Sequence, residues 1–314
     1  MNPAFSVIFL TTLVGVGQGL FLALYAAEWA SRLGWAALPD QRLFVWGAGI
    51  AAVLSIGGLI ASFAHLGRPE RAWRTATMWR TSWLSREVIV LPAFIGLVAL
   101  YGAAHFYAPE WSFLIGAATT VVCLALFVCT GMIYACIKFL REWASALTPI
   151  NFTLLGCASG GTLAAALASI FAPQFTGFFA VGALGFTVAA LIGRAASLVR
   201  NSRLKPKSTL QTAIGIKHPR IVQKSQGFMG GSFNTREFFH GRSSDLLRSV
   251  KWVFLLLGFL VPLTLLAAGL STPAAASVLL IAAAGIQFIG TIADRWFFFA
   301  QANHPQNLYY QTVA

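Results

Sequence analysis

Charge is scarce in this sequence, and acidic charge is scarcest of all. Only 10% of the 314 residues are charged, and Asp and Glu together number nine. Soluble domains carry about 25% charged residues, so a water-facing surface cannot be built from this composition. The sequence therefore predicts a protein that is covered mainly by lipid.

Cysteine and histidine are also few, and their arrangement predicts no metal centre. The four cysteines form no CxxC pair and lie in apolar runs: Cys123, Cys129, Cys136 and Cys157. Zinc and iron–sulfur sites need clustered thiolates. A b-type haem needs paired histidines at membrane depth, whereas His65 and His105 fall near opposite ends of their apolar runs. We expect neither haem nor metal in this chain, and any metal centre that serves it should lie in another chain.

Apolar residues are abundant instead, at 58% of the chain with a mean hydropathy of +0.74. A transmembrane helix needs about 20 mainly apolar residues. Eight runs meet that requirement, near residues 5–27, 43–64, 88–107, 112–136, 151–171, 175–199, 251–270 and 274–293. The sequence predicts an all-α integral membrane protein, a bundle of about eight helices that forms one polytopic domain over residues 1–314.

Lys and Arg number 22, and they are distributed unequally between the two sides of the predicted bundle. They concentrate in the 2–3 and 4–5 loops and in a long 6–7 loop over residues 200–250. By the positive-inside rule these loops and both termini are cytoplasmic. The basic excess then reflects loop charge and contact with anionic lipid headgroups, and indicates no nucleic acid.

The second half of the 6–7 loop is rich in aromatic residues and glycine. It contains Phe228, Phe233, Arg236, Phe238, Phe239 and His240. Phenylalanines are costly to expose, so the segment should pack on something. We predict a docking surface for a partner subunit; the alternative is packing on the protein's own helix ends.

The connection between helices 2 and 3 carries the best candidates for chemistry. His65 follows one apolar run, Glu87 precedes the next, and Arg68 and Arg71 lie between them. An imidazole and a carboxylate at one connection suit a ligand whose redox chemistry is coupled to protons, although arginines there are also ordinary interfacial anchors. Arg194 is expected to snorkel to the membrane surface. His105 and Tyr101 are expected to belong to an aromatic belt.

Two stretches resemble the membrane anchor subunits of dimethyl sulfoxide reductase-type complexes. They are Ser62-Phe63-Ala64-His65-Leu66-Gly67-Arg68-Pro69 and Leu84-Ser85-Arg86-Glu87. The segment Gly230–Gly241 and the tail from Asp294 to Tyr310 look like the anchors associated with membrane-bound sulfite dehydrogenases.

The resemblance implies a three-subunit enzyme of the bacterial inner membrane. A molybdopterin catalytic subunit and an iron–sulfur subunit would dock on the cytoplasmic side and exchange electrons with quinone, either ubiquinone or menaquinone. It also implies that His65 and Glu87 bind quinone near Arg68 and Arg71, with Glu87 moving protons, and that sulfite is oxidised. The alternatives are an anchor of a dimethyl sulfoxide or polysulfide reductase, or a secondary transporter, which the glycine-rich run Gly156–Gly161 would suit.

Overall fold

The structure, a computed structural model, describes residues 2–64, 66–205, 209–222 and 244–305. Within these ranges it contains helices and connections and no strand. Eight described helices are long and apolar enough to cross a membrane. The predicted fold class is confirmed.

The helices follow one another in an up-and-down bundle. The six that come first along the chain are α1 Phe5–Arg32, α2 Gln41–Phe63, α3 Trp83–Tyr107, α4 Pro109–Ala135, α5 Leu147–Phe171 and α6 Thr176–Ser202. A short α7, Leu210–Ile214, precedes α8, Ser244–Ser271, and α9, Ala276–Ala300. A 3-10 helix, Pro69–Met78, connects α2 to α3, and a π-helical turn, Leu256–Leu260, interrupts α8.

One end of the bundle gathers the basic connections. The Trp143 indole Nε1, in the α4–α5 connection, donates to the Phe298 carbonyl of α9 at 2.8 Å. Arg200, at the end of α6, donates to the Arg141 carbonyl at 3.0 Å. Ile8 of α1 packs in the same cluster as Trp143 and Phe298. We call this end, which also carries the Pro69–Met78 helix, the basic face.

Glycines allow α1 and α5 to cross at very short distance. A Cβ added to Gly19 would lie 1.9 Å from the Gly156 carbonyl oxygen, and one added to Gly160 would lie 2.1 Å from the Leu20 nitrogen. Such separations exclude any side chain at either position. The helix α5 runs without a break through Gly156–Gly161. The run therefore serves close helix packing and is not the unwound segment that a transporter would require.

Most helices extend beyond the apolar runs that predicted them, and two of these extensions bear on the polar interior. The predicted span 274–293 stops before Asp294 and Arg295, whereas α9 continues to Ala300 with both side chains only 3% exposed. The predicted span 88–107 begins earlier, at Trp83, because the Ser82 hydroxyl caps α3 and accepts from the Ser85 N–H at 3.3 Å. A hydropathy profile ends a predicted span at a charged residue, but here the charged side chains are buried inside the bundle. Glu87 consequently lies inside α3 instead of preceding it.

Candidate functional site

Glu87 is a buried carboxyl group near the basic face. It lies one turn inside α3 and is 7% exposed. The Thr130 hydroxyl of α4 donates to Glu87 Oε1 at 2.5 Å. An ionisable group inside a membrane helix bundle is costly and is a functional-site hypothesis by default. Glu87 is therefore the starting point for the site.

A small cavity surrounds the Glu87 side chain at the centre of five helices. Its walls come from α1, α3, α4, α5 and α9: Leu10, Thr11, Val14, Gly15, Gln18, Glu87, Phe127, Thr130, Phe152 and Arg295. The free space is about 10 Å³, which suits roughly one water molecule. A quinone ring is several times larger, so it does not fit beside Glu87 in this arrangement.

Arg295 brings a positive charge to the same cavity. Its guanidinium carbon lies 3.6 Å from the centre of the Phe152 ring, a cation–π contact made deep inside the bundle. The Arg295 Nε finds no hydrogen-bond partner among the described residues. A buried guanidinium N–H without a partner is rare, and a water molecule in the cavity would supply one.

A second polar cavity lies between the first and the basic face. Its walls carry many polar side chains from α5, α6, α9 and the α4–α5 connection, among them Glu142, Ser145, Thr148, Asn151, Arg194, Ser197, Arg200, Asn201, Asp294, Arg295 and Gln301. Within it, Arg194 Nε and Asp294 Oδ1 form an ion pair at 2.5 Å with both side chains buried. The Arg194 guanidinium also lies over the Phe254 and Phe297 rings. Arg194 thus does not snorkel, because a carboxylate on the neighbouring helix pairs with it in place.

The opposite end of the bundle holds another buried ionisable cluster. Glu28, 1% exposed, accepts from the Tyr101 hydroxyl at 2.8 Å and the Ser112 hydroxyl at 2.6 Å, and His105 Nε2 lies 3.4 Å away. A cavity of about 220 Å³ adjoins the cluster. His105 and Tyr101 are therefore polar links among α1, α3 and α4, and the prediction that they form an aromatic belt is wrong.

The largest cavity described is apolar. It has a volume of about 710 Å³ and is lined by α1, α5 and α6 residues such as Leu22, Ala26, Phe178 and Val181. None of its described lining residues is ionisable except Cys157. These residues offer a surface for hydrocarbon and no acid–base group suited to proton transfer.

The sequence matches a known family over nearly its whole length. A profile described as the DMSO reductase anchor subunit (DmsC) matches residues 1–299. The chain belongs to the DMSO reductase anchor subunit family. The resemblance that the motifs indicated is confirmed.

The anchor subunit is also similar to a protein of Allochromatium vinosum that is named as one of the subunits of sulfite dehydrogenase. The two chains are 51% identical in an alignment of 329 positions that covers 100% of both. The match leaves no large segment of either chain without a counterpart.

The predicted site residues of the anchor subunit occupy different environments. Glu87 lies in the interior, whereas Arg68 and Arg71 are exposed at the start of the Pro69–Met78 helix, with Arg71 Nε 3.8 Å from Glu70 Oε1. The structure does not bring these arginines into the described wall of the Glu87 cavity. His65 lies outside the described residues, as do all six predicted docking residues of the 6–7 loop: Phe228, Phe233, Arg236, Phe238, Phe239 and His240.

Sequence reasoning missed most of the polar interior of the anchor subunit. It places Asp294 and Arg295 in a tail motif, and it gives Asn151 and Ser197 no role. A signal is available for one pair, because Arg194 and Asp294 carry opposite charges at similar depth from the basic ends of α6 and α9. Nothing in the local sequence indicates that α6 and α9 meet there.

Proposed function

We propose that this anchor subunit exchanges electrons with quinone at its basic face. Electrons travel through a partner iron–sulfur subunit, a molybdopterin subunit performs the substrate chemistry, and the complex oxidises sulfite. The basic face is cytoplasmic, and the membrane is the bacterial inner membrane. An alternative substrate is dimethyl sulfoxide or polysulfide, with electrons flowing the other way.

The observation that carries the quinone proposal is the buried Glu87 carboxyl one turn from the basic face. Quinone reduction consumes two electrons and two protons, so a quinone site needs a group that exchanges protons near the ring. The described residues contain no group of three or more His, Cys, Asp and Glu that could hold a metal ion. The electron-carrying centres are accordingly proposed for the partner chains.

The proposed position of the ring takes account of the space available. Because the Glu87 cavity suits about one water molecule, the ring docks outside it, at the connection between α2 and α3. There His65 donates to one ring oxygen, and Arg68 and Arg71 attract the reduced anionic ring. Glu87 exchanges protons with the ring from its cavity in the interior. The comparison of quinone-linked with dye-linked turnover in Glu87 variants tests this assignment.

The sulfite proposal rests on similarity over the full chain. The Allochromatium vinosum protein is named as a sulfite dehydrogenase subunit, and 51% identity over all of both chains supports the same substrate class for the complex that this anchor serves. Oxidation of sulfite, with water as the source of the added oxygen atom, yields sulfate, two electrons and two protons. The electrons then reduce one quinone.

The cytoplasmic location of the basic face is testable by cysteine labelling. Lys205→Cys at the end of the α6 segment and Thr312→Cys in the tail should react with a membrane-impermeant maleimide only after the cells are permeabilised. Trp35→Cys, in the exposed α1–α2 connection at the other end, should react in intact cells. The exposed native Cys136 is first replaced by Ala. Labelling of positions 205 and 312 from outside would reverse the topology.

The docking role of the 6–7 loop is tested by weakening its aromatic segment. Changing Phe238 and Phe239 to Ser removes apolar contacts worth roughly 1.5–3 kcal/mol each if both rings are buried in the interface. The iron–sulfur subunit should then be lost from the anchor in mild detergent, while the anchor still inserts. Ile216→Ser, at an exposed position of the same loop, is the control. Equal recovery of the partner with both variants would contradict docking by this segment.

A further inference from the structure

The two polar cavities beneath the basic face share a wall. Phe152 and Arg295 line both the cavity around Glu87 and the cavity that reaches Glu142, Arg200 and Asn201. The second cavity also has about 10 Å³ of free space, room for roughly one water molecule. The connection between Glu87 and the basic face thus consists of two water-sized spaces that Arg295 and Phe152 separate.

Exposure falls along this connection from the basic face inward. Glu142, Arg200 and Gln301 at the outer end are half-buried, whereas Ser197, Arg194 and Arg295 are buried. Burial of a polar group is costly unless it forms a hydrogen bond or an ion pair. The gradient is that of a polar inlet whose walls become more buried toward Glu87.

Several polar atoms in the inlet have unused hydrogen-bonding capacity. Asn151 Oδ1, Arg194 Nη2, Arg295 Nε and Gln301 Nε2 find no partner among the described residues. These atoms supply one acceptor and three donors around the water-sized spaces, and internal water typically makes two to four such bonds. Asn151 is itself held across α5 and α6, since its Nδ2 donates to the Ser197 hydroxyl at 2.7 Å and the Gly193 carbonyl at 3.2 Å.

We propose that this inlet, lined by Asn151, Ser197 and Arg295, is the route by which protons pass between Glu87 and the aqueous phase at the basic face. The inference rests on the proposed function, in which Glu87 exchanges protons with quinone. Each quinone reduced takes two electrons from the iron–sulfur subunit and two protons by way of Glu87. Each time the protonated Glu87 carboxyl group gives up its proton, water in the inlet reprotonates the resulting carboxylate from the basic face.

Filling the inlet with hydrocarbon tests the route without altering Glu87. Asn151→Leu and Ser197→Val place apolar carbon where polar groups now line the space. In the purified complex we expect quinone-linked kcat to fall about tenfold or more, since positioned proton transfer contributes about a hundredfold or more to such rates. The KM for a quinone analogue should not change, and the solvent deuterium isotope effect should rise. Dye-linked turnover, which bypasses the anchor, reports that the complex is assembled.

Thr162→Val is the control for a polar change on the same helix. Thr162 is fully buried in α5, and its hydroxyl donates within the helix to the Ala158 carbonyl, away from the inlet. It should leave both turnover rates unchanged. If Asn151→Leu does not assemble, Ser197→Val decides the question.

The outcomes separate this inference from the proposed function. One outcome would overturn the inlet and leave the quinone proposal intact: an assembled inlet variant has a normal quinone-linked kcat and isotope effect, while Glu87→Gln is defective. Protons would then enter elsewhere, for instance at the start of α3. Normal turnover in Glu87→Gln itself would overturn the proposed function. A slow inlet variant with an unchanged isotope effect would also contradict the route, because the defect would then be structural.

Discussion

Glu87→Gln is expected to lower quinone-linked turnover about a hundredfold while dye-linked turnover of the complex stays normal. Glutamine keeps the shape of the side chain and can still accept from the Thr130 hydroxyl, which lies 2.5 Å from the Glu87 carboxyl in the native chain. It cannot take up or release a proton. The variant therefore removes proton exchange without opening a void in the bundle.

A matched control separates this effect from a general loss of carboxylate charge. Glu70 lies at the same face but is exposed, and its only described ion pair is with Arg71 at 3.8 Å. Glu70→Gln should leave both turnover rates within about twofold of wild type, since an exposed pair contributes little.

His65→Ala should resemble Glu87→Gln if the imidazole holds a ring oxygen. Under the opposing view, in which Glu87 is only structural, the two turnover rates would fall together with complex stability.

Breaking the ion pair between Arg194 and Asp294 should destabilise the anchor strongly. Each single variant, Arg194→Met or Asp294→Leu, leaves one buried charge without its partner, which costs about 3–5 kcal/mol. The double variant removes both charges and should be more stable than either single variant. The thermal midpoint of the detergent-solubilised protein, followed by gel filtration with fluorescence detection, measures the order.

An exposed pair on α8 provides the comparison. Arg248 Nη1 and Asp245 Oδ1 are 3.5 Å apart, with side chains 69% and 79% exposed. Asp245→Asn should change stability by less than about 1 kcal/mol. A double variant at positions 194 and 294 that is less stable than both single variants would contradict the assignment of the buried pair as mutually compensating charges.

The sequence was sufficient for the architecture because each helix carries its own apolar run. All eight predicted spans correspond to helices, including α5 across its glycine-rich run. The interior polar groups could not be predicted in the same way. Hydropathy measures a residue against lipid, whereas Asp294 and Arg295 are buried against other helices. How deeply these side chains are buried depends on how α6 and α9 pack together, and no local sequence pattern predicts that packing.

The candidate site was likewise predicted only in part from the sequence. The sequence identifies Glu87 as a site residue from its position beside an apolar run and from the family motif. It does not predict that the side chain points into the bundle, because the predicted span begins at 88, whereas α3 begins at Trp83 and includes Glu87. Arg68 and Arg71 share its connection in sequence but are exposed at the surface. Proximity along the chain therefore predicted that these residues lie at the same end of the bundle, and did not predict that Glu87 alone among them lines the interior cavity. The hydrogen-bond partner of Glu87, Thr130, and the residue Gln18 that lines the same cavity come from helices far from Glu87 along the chain.

The ratio of quinone-linked to dye-linked turnover in the purified complex tests the central claim most directly. It is measured for wild type, Glu70→Gln, Glu87→Gln and His105→Gln, the last altering the buried cluster at the opposite end. We predict a ratio about a hundredfold lower in Glu87→Gln alone. A normal ratio in Glu87→Gln together with a low ratio in His105→Gln would contradict the account and place quinone beside the cavity of about 220 Å³ at the opposite face.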